Sequence, residues 1–205
     1  MGADEKAVEE GFETARHYLD MIVKEPATAV GGLISDRVNF WRWKNKINLL
    51  LKAKAFLEKK GIDPKQVLPS TVVPLIEASA DVDDDTLSDM FAGLLASHVS
   101  SVNPNEVHPS YTKILGQLSS LDAKVISSLF IALRQKADYR KSGYTMENAT
   151  KILGEPEDVL LLAFENLWRL GLCDRGDDAL AEMNRLKQIT FTDYGWHFMQ
   201  KCAPE

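Results

Sequence analysis

The fold class is decided by two short stretches near the end of the chain, Leu172-Cys-Asp-Arg175 and Lys187-Gln-Ile-Thr-Phe-Thr192. Their apolar side chains recur at a period close to 2, as in a β-strand, whereas the residues before them follow the helical period of 3.6. An acidic loop, Gly176–Met183, separates the two stretches, and a last helix is predicted over Asp193–Lys201. The sequence therefore predicts two short strands among helices.

Three helical patterns precede the predicted strands. They cover, in order, Asp122–Lys136, Gly143–Leu153 and Pro156–Leu170. Gly154 and Gly171 follow the last two patterns, at positions where glycine commonly ends a helix. Three helices and a small β-hairpin form the winged-helix arrangement, and the ending Ile189–Phe198 resembles the close of many winged-helix domains. We predict a winged-helix domain over residues 119–205.

Residues 1–118 are predicted to form a helical domain, so that the whole chain is mainly α. Its helical patterns cover Asp4–Lys24, residues 35–60 as a long basic amphipathic helix, Ser70–Ala80, the residues after Asp85, and Pro109–Leu118. Gly61 is expected to end the long helix, and Pro74 is expected only near the first turn of the next one. Asp83, Asp84 and Asp85 indicate a helix start, because acidic side chains there suit the macrodipole.

Length and composition indicate a globular protein. With 205 residues, 45% of them hydrophobic, and a net charge of −6, the chain can bury a core without disulfides, and its acidity disfavours polyanion binding by the chain as a whole. Cys173 and Cys202 have no partners at metal-ligand spacing, so we predict two free thiols in a cytoplasmic protein. Met1–Glu10 lacks the order of a signal peptide.

Charge is distributed in two opposed blocks. Residues 37–65 hold nine Lys or Arg against two acids, a balance of +7, and residues 76–110 hold seven acids and no Lys or Arg. Equal and opposite blocks on successive helices predict electrostatic pairing, either within one chain or between two copies, unless the two are separate solvated faces.

Aromatic residues alternate with cations early in the basic block. The candidate interaction surface here consists of Phe40, Trp41, Arg42, Trp43, Lys44 and Lys46. Such a segment can pack into a core, contact a protein partner or a second copy, or bind a membrane surface or nucleic acid. Because Trp41 lies about 100° from Phe40 around a helix, the two tryptophans cannot share one narrow stripe, and one of them is predicted on a contact surface.

A winged helix invites a DNA-binding hypothesis, since its third helix would enter the major groove. The polar positions of that helix are mostly acidic, however, and DNA phosphates would repel them. Under this alternative the candidate DNA contacts are Arg169, Arg175, Arg185 and Lys187. A winged helix that binds protein is the favoured interpretation.

Catalytic and metal-binding patterns are few. The chain has no phosphate-binding Gly-rich loop, no nucleophile elbow and no His-Glu-x-x-His motif. His98 and His108 lie near several acids, but their separation across a proline turn is not a metal-ligand signature. Cys173 beside Asp174 is expected to have a raised pKa and low reactivity. We therefore predict no enzymatic activity, no catalytic or metal-ligating residues and no cofactor.

Several segments between residues 30 and 125 follow one family pattern. They are Gly32–Lys44, Lys52-Ala-Lys54 with Gly61-Ile62, Pro74–Ser79, Leu94–Ala96, Val107–Ser110 and Ile114–Ala123. Together they resemble the abortive infection alpha (Abi-alpha) family, with one departure, Ser119-Ser120 where the family usually has Ser-Pro. The resemblance implies a bacterial cytoplasmic protein linked to phage exclusion and brings no catalytic residues to carry over.

These observations predict a non-enzymatic interaction or regulatory protein linked to bacterial phage defence. It is expected to act through contacts with a protein partner or through self-association. The alternatives are a winged-helix transcriptional regulator that binds DNA and an effector that interacts with a membrane surface.

Overall fold

The computed structural model describes residues 3–23, 40–101, 106–136, 138, 143–175 and 188–203. Within these residues the chain forms nine helices and three strands. The helices are α1 (Ala3–Ile22), α2 (Phe40–Lys60), α3 (Pro69–Ser79), α4 (Asp85–Ser100), α5 (Tyr111–Leu115), α6 (Ser120–Leu133), α7 (Met146–Leu153), α8 (Glu157–Arg169) and α9 (Asp193–Cys202). The strands are β1 (Tyr144–Thr145), β2 (Cys173–Arg175) and β3 (Gln188–Phe191). The prediction of a mainly α chain is confirmed.

Contacts along the chain divide it into two compact units. The N-terminal unit comprises Met1–Gly116 together with Lys201–Glu205, and the C-terminal unit comprises Gln117–Gln200. All three strands lie in the C-terminal unit. The chain therefore leaves the N-terminal unit once and returns to it for its last residues.

Some predicted features lie outside the described residues. They are the first part of the long basic helix at residues 35–39, the acidic loop Gly176–Met183, and two of the candidate DNA contacts, Arg185 and Lys187.

The core of the N-terminal unit is organised around α2, which contacts α1 and α4. Phe91 and Leu94 of α4 are fully buried, as are Leu50 of α2 and Ile22 of α1. Burying one such side chain is worth about 1.5–3 kcal/mol relative to leaving it in water. Apolar contact across α2 therefore makes a large contribution to the stability of this unit.

The apolar face of α2 is broader than the sequence pattern predicts. By its helical spacing, the predicted face consists of Phe40, Trp43, Ile47, Leu50, Leu51 and Leu57. Ile47, Leu50 and Leu57 are buried as expected, but Leu49 is buried too, while Leu51 is only half-buried. A helix that packs against neighbours on more than one side needs a wider apolar surface than a single stripe. The second contact of α2 accounts for the difference.

The end of α2 and the start of α4 follow the predicted capping chemistry. Gly61 ends α2 with a φ of 63°, and the amide of Ile62 donates to the carbonyl of Leu57 at 3.0 Å, as in a Schellman motif. The side chain of Asp84 accepts a hydrogen bond from the amide of Leu87 at 3.0 Å and caps α4. The acidic residues here form a helix start, as predicted.

The expectation for Pro74 is wrong. Helix α3 begins at Pro69 and continues through Pro74, which lies in its second turn. Proline cannot donate the helical hydrogen bond to the carbonyl of Ser70, but Ser70 is exposed, so that carbonyl can bind water instead. Burial of Leu75 and Ile76 directly after the proline holds the helix together.

The last described residues of the chain pack against α4. The hydroxyl of Ser97 donates to the carbonyl of Lys201 at 2.7 Å. A Cβ atom added at Gly93 would collide with the backbone carbonyl of Cys202. Only glycine at position 93 therefore lets the two backbones approach this closely.

The C-terminal unit contains a three-stranded antiparallel sheet in the order β1-β3-β2. The predicted pairing of β2 with β3 is confirmed, with Cys173 opposite Phe191. Strand β1, which pairs Tyr144 with Ile189, was not predicted. Two residues are too few to show a period of 2, so the sequence pattern could not reveal this strand.

The sequence Thr192-Asp-Tyr-Gly195 after β3 has a structural explanation. The Thr192 hydroxyl accepts a hydrogen bond from the amide of Gly195 at 2.9 Å and donates to the carbonyl of Gly171 at 2.7 Å. A Cβ atom on Gly195 would collide with the backbone carbonyl of Leu172. The motif thus starts α9 and fixes it beside the end of α8.

Helix α6 begins with a reciprocal capping box that also reaches α8. Ser119 accepts from the amide of Asp122 at 3.1 Å, and Asp122 accepts from the amide of Ser119 at 2.7 Å. The carboxylate of Asp122 also accepts a hydrogen bond from the side chain of Asn166 at 2.8 Å. The departure at Ser120 therefore leaves the cap intact.

Tyr18 and Tyr144 provide a matched test of buried hydroxyl groups. Both rings are buried, but the Tyr18 hydroxyl has no hydrogen-bond partner among the described residues, whereas the Tyr144 hydroxyl lies 2.8 Å from Ser128 Oγ. We expect Tyr18→Phe to leave the free energy of unfolding unchanged or to raise it, and Tyr144→Phe to lower it by about 0.5–1.5 kcal/mol. Urea unfolding followed by circular dichroism measures both, and equal losses would contradict the assignment.

Candidate interaction surfaces

The basic side chains of α2 reach the acidic residues between the end of α3 and the start of α4. Lys46 Nζ lies 2.8 Å from Glu77 Oε1, and Lys46 is only 7% exposed. One helical turn earlier, Arg42 Nε lies 2.9 Å from Asp81 Oδ1, in an ion pair whose N–H is not aligned for a hydrogen bond.

The same stripe of α2 continues with two further side chains. Lys52 Nζ lies 2.7 Å from Asp89 Oδ1 on α4. Between these ion pairs, the side-chain amide of Asn45 donates to the carbonyls of Ala80 at 2.9 Å and Val82 at 2.8 Å. The two opposed charge blocks therefore pair within one chain, the first of the arrangements that the sequence left open.

The candidate surface at the start of α2 divides into covered and exposed residues. Arg42 and Lys46 are held in the ion pairs described above, and the ring of Trp43 stacks on Phe12 of α1 with centroids 5.7 Å apart. Trp41 is 43% exposed, and Lys44 is exposed beside it. The backbone of Phe40 belongs to α2, and its side chain lies outside the description. Among the members whose side chains are described, Trp41 and Lys44 are open to a partner.

Helix α8 presents apolar side chains at its outward positions. Leu162 is 67% exposed and Val159 is 37% exposed. Asp158 and Glu165, one turn on either side of Leu162, are also exposed. This face combines apolar area with negative charge, which suits a protein partner better than DNA phosphates.

The two described candidate DNA contacts are engaged within the C-terminal unit. Arg169 donates through Nη2 to Asn166 Oδ1 at 2.7 Å. The guanidinium of Arg175 lies 4.2 Å from the centre of the Trp168 ring, in a cation–π contact. Both arginines remain exposed, so these contacts orient them without covering them.

The histidines and cysteines lie in separate environments. His108 Nδ1 lies 2.7 Å from the hydroxyl of Ser110, as expected for a histidine in a turn. Within the described residues, no three His, Cys, Asp or Glu side chains come close enough to hold a metal ion. Cys173 and Cys202 are free and buried. Burial raises the pKa of the Cys173 thiol, and the carboxylate of Asp174 raises it further, so the thiol is neutral.

None of the described helices combines the length and the apolar character needed to cross a bilayer.

The buried Lys46 makes the ion pair with Glu77 testable against an exposed pair. We expect Glu77→Gln to lower the free energy of unfolding by about 1–3 kcal/mol, because it takes a counter-charge from a buried ammonium group. Glu58→Gln is the control: Glu58 pairs with Lys54 at 2.7 Å on the exposed side of α2, and its loss should cost less than about 0.5 kcal/mol. Urea unfolding measures the free energy of unfolding of both variants. Equal losses would contradict the expectation that the buried charge of Lys46 depends on Glu77.

His98 makes stability depend on pH in a predictable direction. Burial lowers the pKa of His98 to about 4, whereas the unfolded chain has an ordinary histidine pKa of about 6.5. The unfolded state therefore binds the proton more tightly, and stability present above pH 6.5 falls by up to about 3 kcal/mol as pH drops to 4. His98→Gln should remove this part of the slope in urea unfolding at different pH values. The exposed His17 of α1 is the control, and an unchanged slope in His98→Gln would refute the assignment.

Comparison with known proteins adds one match. A family model described as abortive infection alpha matches residues 44–202. The match begins at Lys44 and extends through the C-terminal unit, whereas the segments that carry the sequence resemblance lie between residues 30 and 125. No curated protein and no solved structure matches the chain. Because the family match covers more than half of its residues, the chain belongs to the abortive infection alpha family.

Proposed function

We propose that the chain is a non-enzymatic interaction protein of bacterial phage defence, acting through protein–protein contacts in the cytoplasm. Membership of the abortive infection alpha family suggests the link to phage defence. The two buried, free thiols are compatible with a reducing compartment.

The observation that carries this proposal is the outward face of α8. An isolated exposed leucine needs no explanation, but Leu162 and Val159 lie together on one helix face between Asp158 and Glu165. A helix face with apolar residues at its centre and charge at its edges has the anatomy of a protein-binding surface. Its partner would present an apolar groove with basic residues at the rim.

We further propose that the C-terminal unit is a winged-helix module. The order α6-β1-α7-α8-β2-β3 supports this, since it has three helices, a hairpin and a short strand between the first two helices. Helix α8 would then occupy the position of the recognition helix. Its acidic and apolar face supports a version of the module that binds protein.

The exposed pair Trp41 and Lys44 offers a second and smaller contact area in the N-terminal unit. Tryptophan is enriched at interfaces because it buries a large area with few rotatable bonds. Self-association through this area would use apolar contact, since the cations Arg42, Lys46 and Lys52 are already paired within the chain. The same two residues are the ones that a membrane-surface alternative would use.

The DNA-binding alternative rests on Arg169 and Arg175. Both are exposed, but Arg169 is the last residue of α8, whose other outward charges are negative, and Arg175 lies on β2. The observations therefore favour protein over DNA as the partner of α8.

The test compares two equally exposed apolar residues of the C-terminal unit. A photo-crosslinking amino acid replaces either Leu162, 67% exposed on α8, or Ile131, 62% exposed on α6, in bacteria challenged with phage. We expect a discrete cross-linked protein from position 162 and none from position 131. With that protein purified, Leu162→Glu should weaken binding at least about tenfold, as for an interface hot spot, and Ile131→Glu should not.

Three results would contradict the proposal. One is the absence of a product from position 162, and another is the same product from both positions. The third is a shift of duplex DNA in gels that Arg175→Ala abolishes, which would favour the DNA-binding alternative.

A further inference from the structure

The N-terminal unit contains a cavity of about 640 Å³ that none of the surfaces above includes. Four parts of the chain line it: the segment Lys65–Leu68, the first turns of α3, the end of α4, and the segment from Val107 to Lys113. Its volume lies within the range of about 300–1,000 Å³ that is typical of small-molecule sites.

The wall formed by Lys65–Leu68 is fixed in place by the backbone. The amide of Lys65 donates to the carbonyl of Val99 at 2.6 Å, and the amide of Val67 donates to the carbonyl of Ile22 at 2.7 Å. These two hydrogen bonds attach the segment to the ends of α4 and α1. The cavity is therefore built from anchored backbone on this side, and a ligand would find it preformed.

The described residues that line the cavity carry positive charge and no negative charge. This charge comes from Lys65 and Lys113, two exposed lysines in different segments of the lining. The hydroxyls of Ser70, Thr71 and Thr112 add hydrogen-bond donors. An ionised oxygen gains more from such a set than a neutral one, because hydrogen bonds to charged groups are about twice as strong.

Five of the described lining residues are apolar, and the polar Gln66 and Ser101 lie among them. The apolar residues are Val67, Leu68, Pro74, Val107 and Pro109. His98 also lines the cavity, and at neutral pH its partly buried ring is uncharged. A bare inorganic ion would leave this apolar wall without a partner, so the cavity suits a ligand with both an anionic group and an apolar body.

The start of α3 adds to the anionic preference. Its N-cap residue, Leu68, provides no side-chain cap, and its first turns line the cavity. Pro69 has no N–H and the Thr71 amide already donates to the Leu68 carbonyl at 3.0 Å, so α3 contributes the field of its macrodipole and not a row of free amides. This contribution supplements the two lysines and does not replace them.

We propose that this cavity binds a small organic anion, with Lys65 and Lys113 holding a phosphate or carboxylate group and the apolar wall holding a compact hydrophobic body. Such a ligand would bind inside the N-terminal unit and apart from α8. The inference is independent of the protein-binding function proposed above.

Calorimetric titration of the full chain tests the proposal with four probes: phenyl phosphate, benzoate, phenol and inorganic phosphate. We expect phenyl phosphate or benzoate to bind once per chain, at least about tenfold more tightly than phenol or inorganic phosphate, which corresponds to about 1.4 kcal/mol. The tighter of the two organic anions identifies the preferred acid group.

Matched double variants locate the site. Lys65→Met with Lys113→Met should weaken binding of the organic anion at least about tenfold. Lys59→Met with Lys60→Met changes the net charge equally at the exposed end of α2 and should leave binding unchanged. Ser70→Trp, at an exposed position on the cavity wall, should block binding without altering charge.

Each alternative result overturns the proposal. Absence of saturable binding up to about 10 mM would show that the cavity takes no such ligand. Equal weakening in both double variants would mean a general charge effect. Equal affinity for inorganic phosphate would mean an adventitious ion only, and equal affinity for phenol would mean an apolar hole without anion recognition.

Discussion

The ammonium group of Lys46 is the constraint around which the N-terminal unit is arranged. A buried charge requires an opposite charge beside it. Glu77, near the end of α3, provides it, with Oε1 2.8 Å from Lys46 Nζ. The Asn45 amide then binds the backbone carbonyls that follow α3, and Lys52 reaches Asp89 on α4. Together these contacts fix the position of both helices along α2. Apolar burial stabilises the unit without regard to direction, whereas the polar stripe requires specific partners and so specifies one alignment.

The predictability of this chain from sequence depends on the range of the interactions involved. Helices α2, α4 and α8 follow from local periodicity, and the caps at Gly61 and Asp84 follow from local chemistry. Strand β1 could not be predicted from the sequence, because it exists only through its pairing with β3. The continuation of α3 through Pro74 was not predicted for a similar reason. Burial of the neighbouring residues outweighs the missing backbone hydrogen bond.

The candidate surfaces were predictable in part. Helical geometry requires Trp41 and Trp43 to point in different directions, but only the packing of Phe12 against Trp43 shows which one is covered. Counting charges shows two opposed blocks and contains no distances, so it cannot distinguish pairing within a chain from pairing between chains. The cavity could not be predicted from the sequence, because Lys65 and Lys113 are far apart along the chain and line one cavity only in the folded unit.

The return of the chain to the N-terminal unit has a consequence for biosynthesis. Residues 117–200 form a unit complete in themselves, whereas the N-terminal unit includes Lys201 and Cys202 beside Ser97 and Gly93. Because the ribosome delivers residues in order, the second unit to begin synthesis is the first that has all of its residues available. The earlier helices cannot make their contact with Lys201 and Cys202 until the end of α9 has left the ribosome. The unit that is begun first is therefore the one completed last.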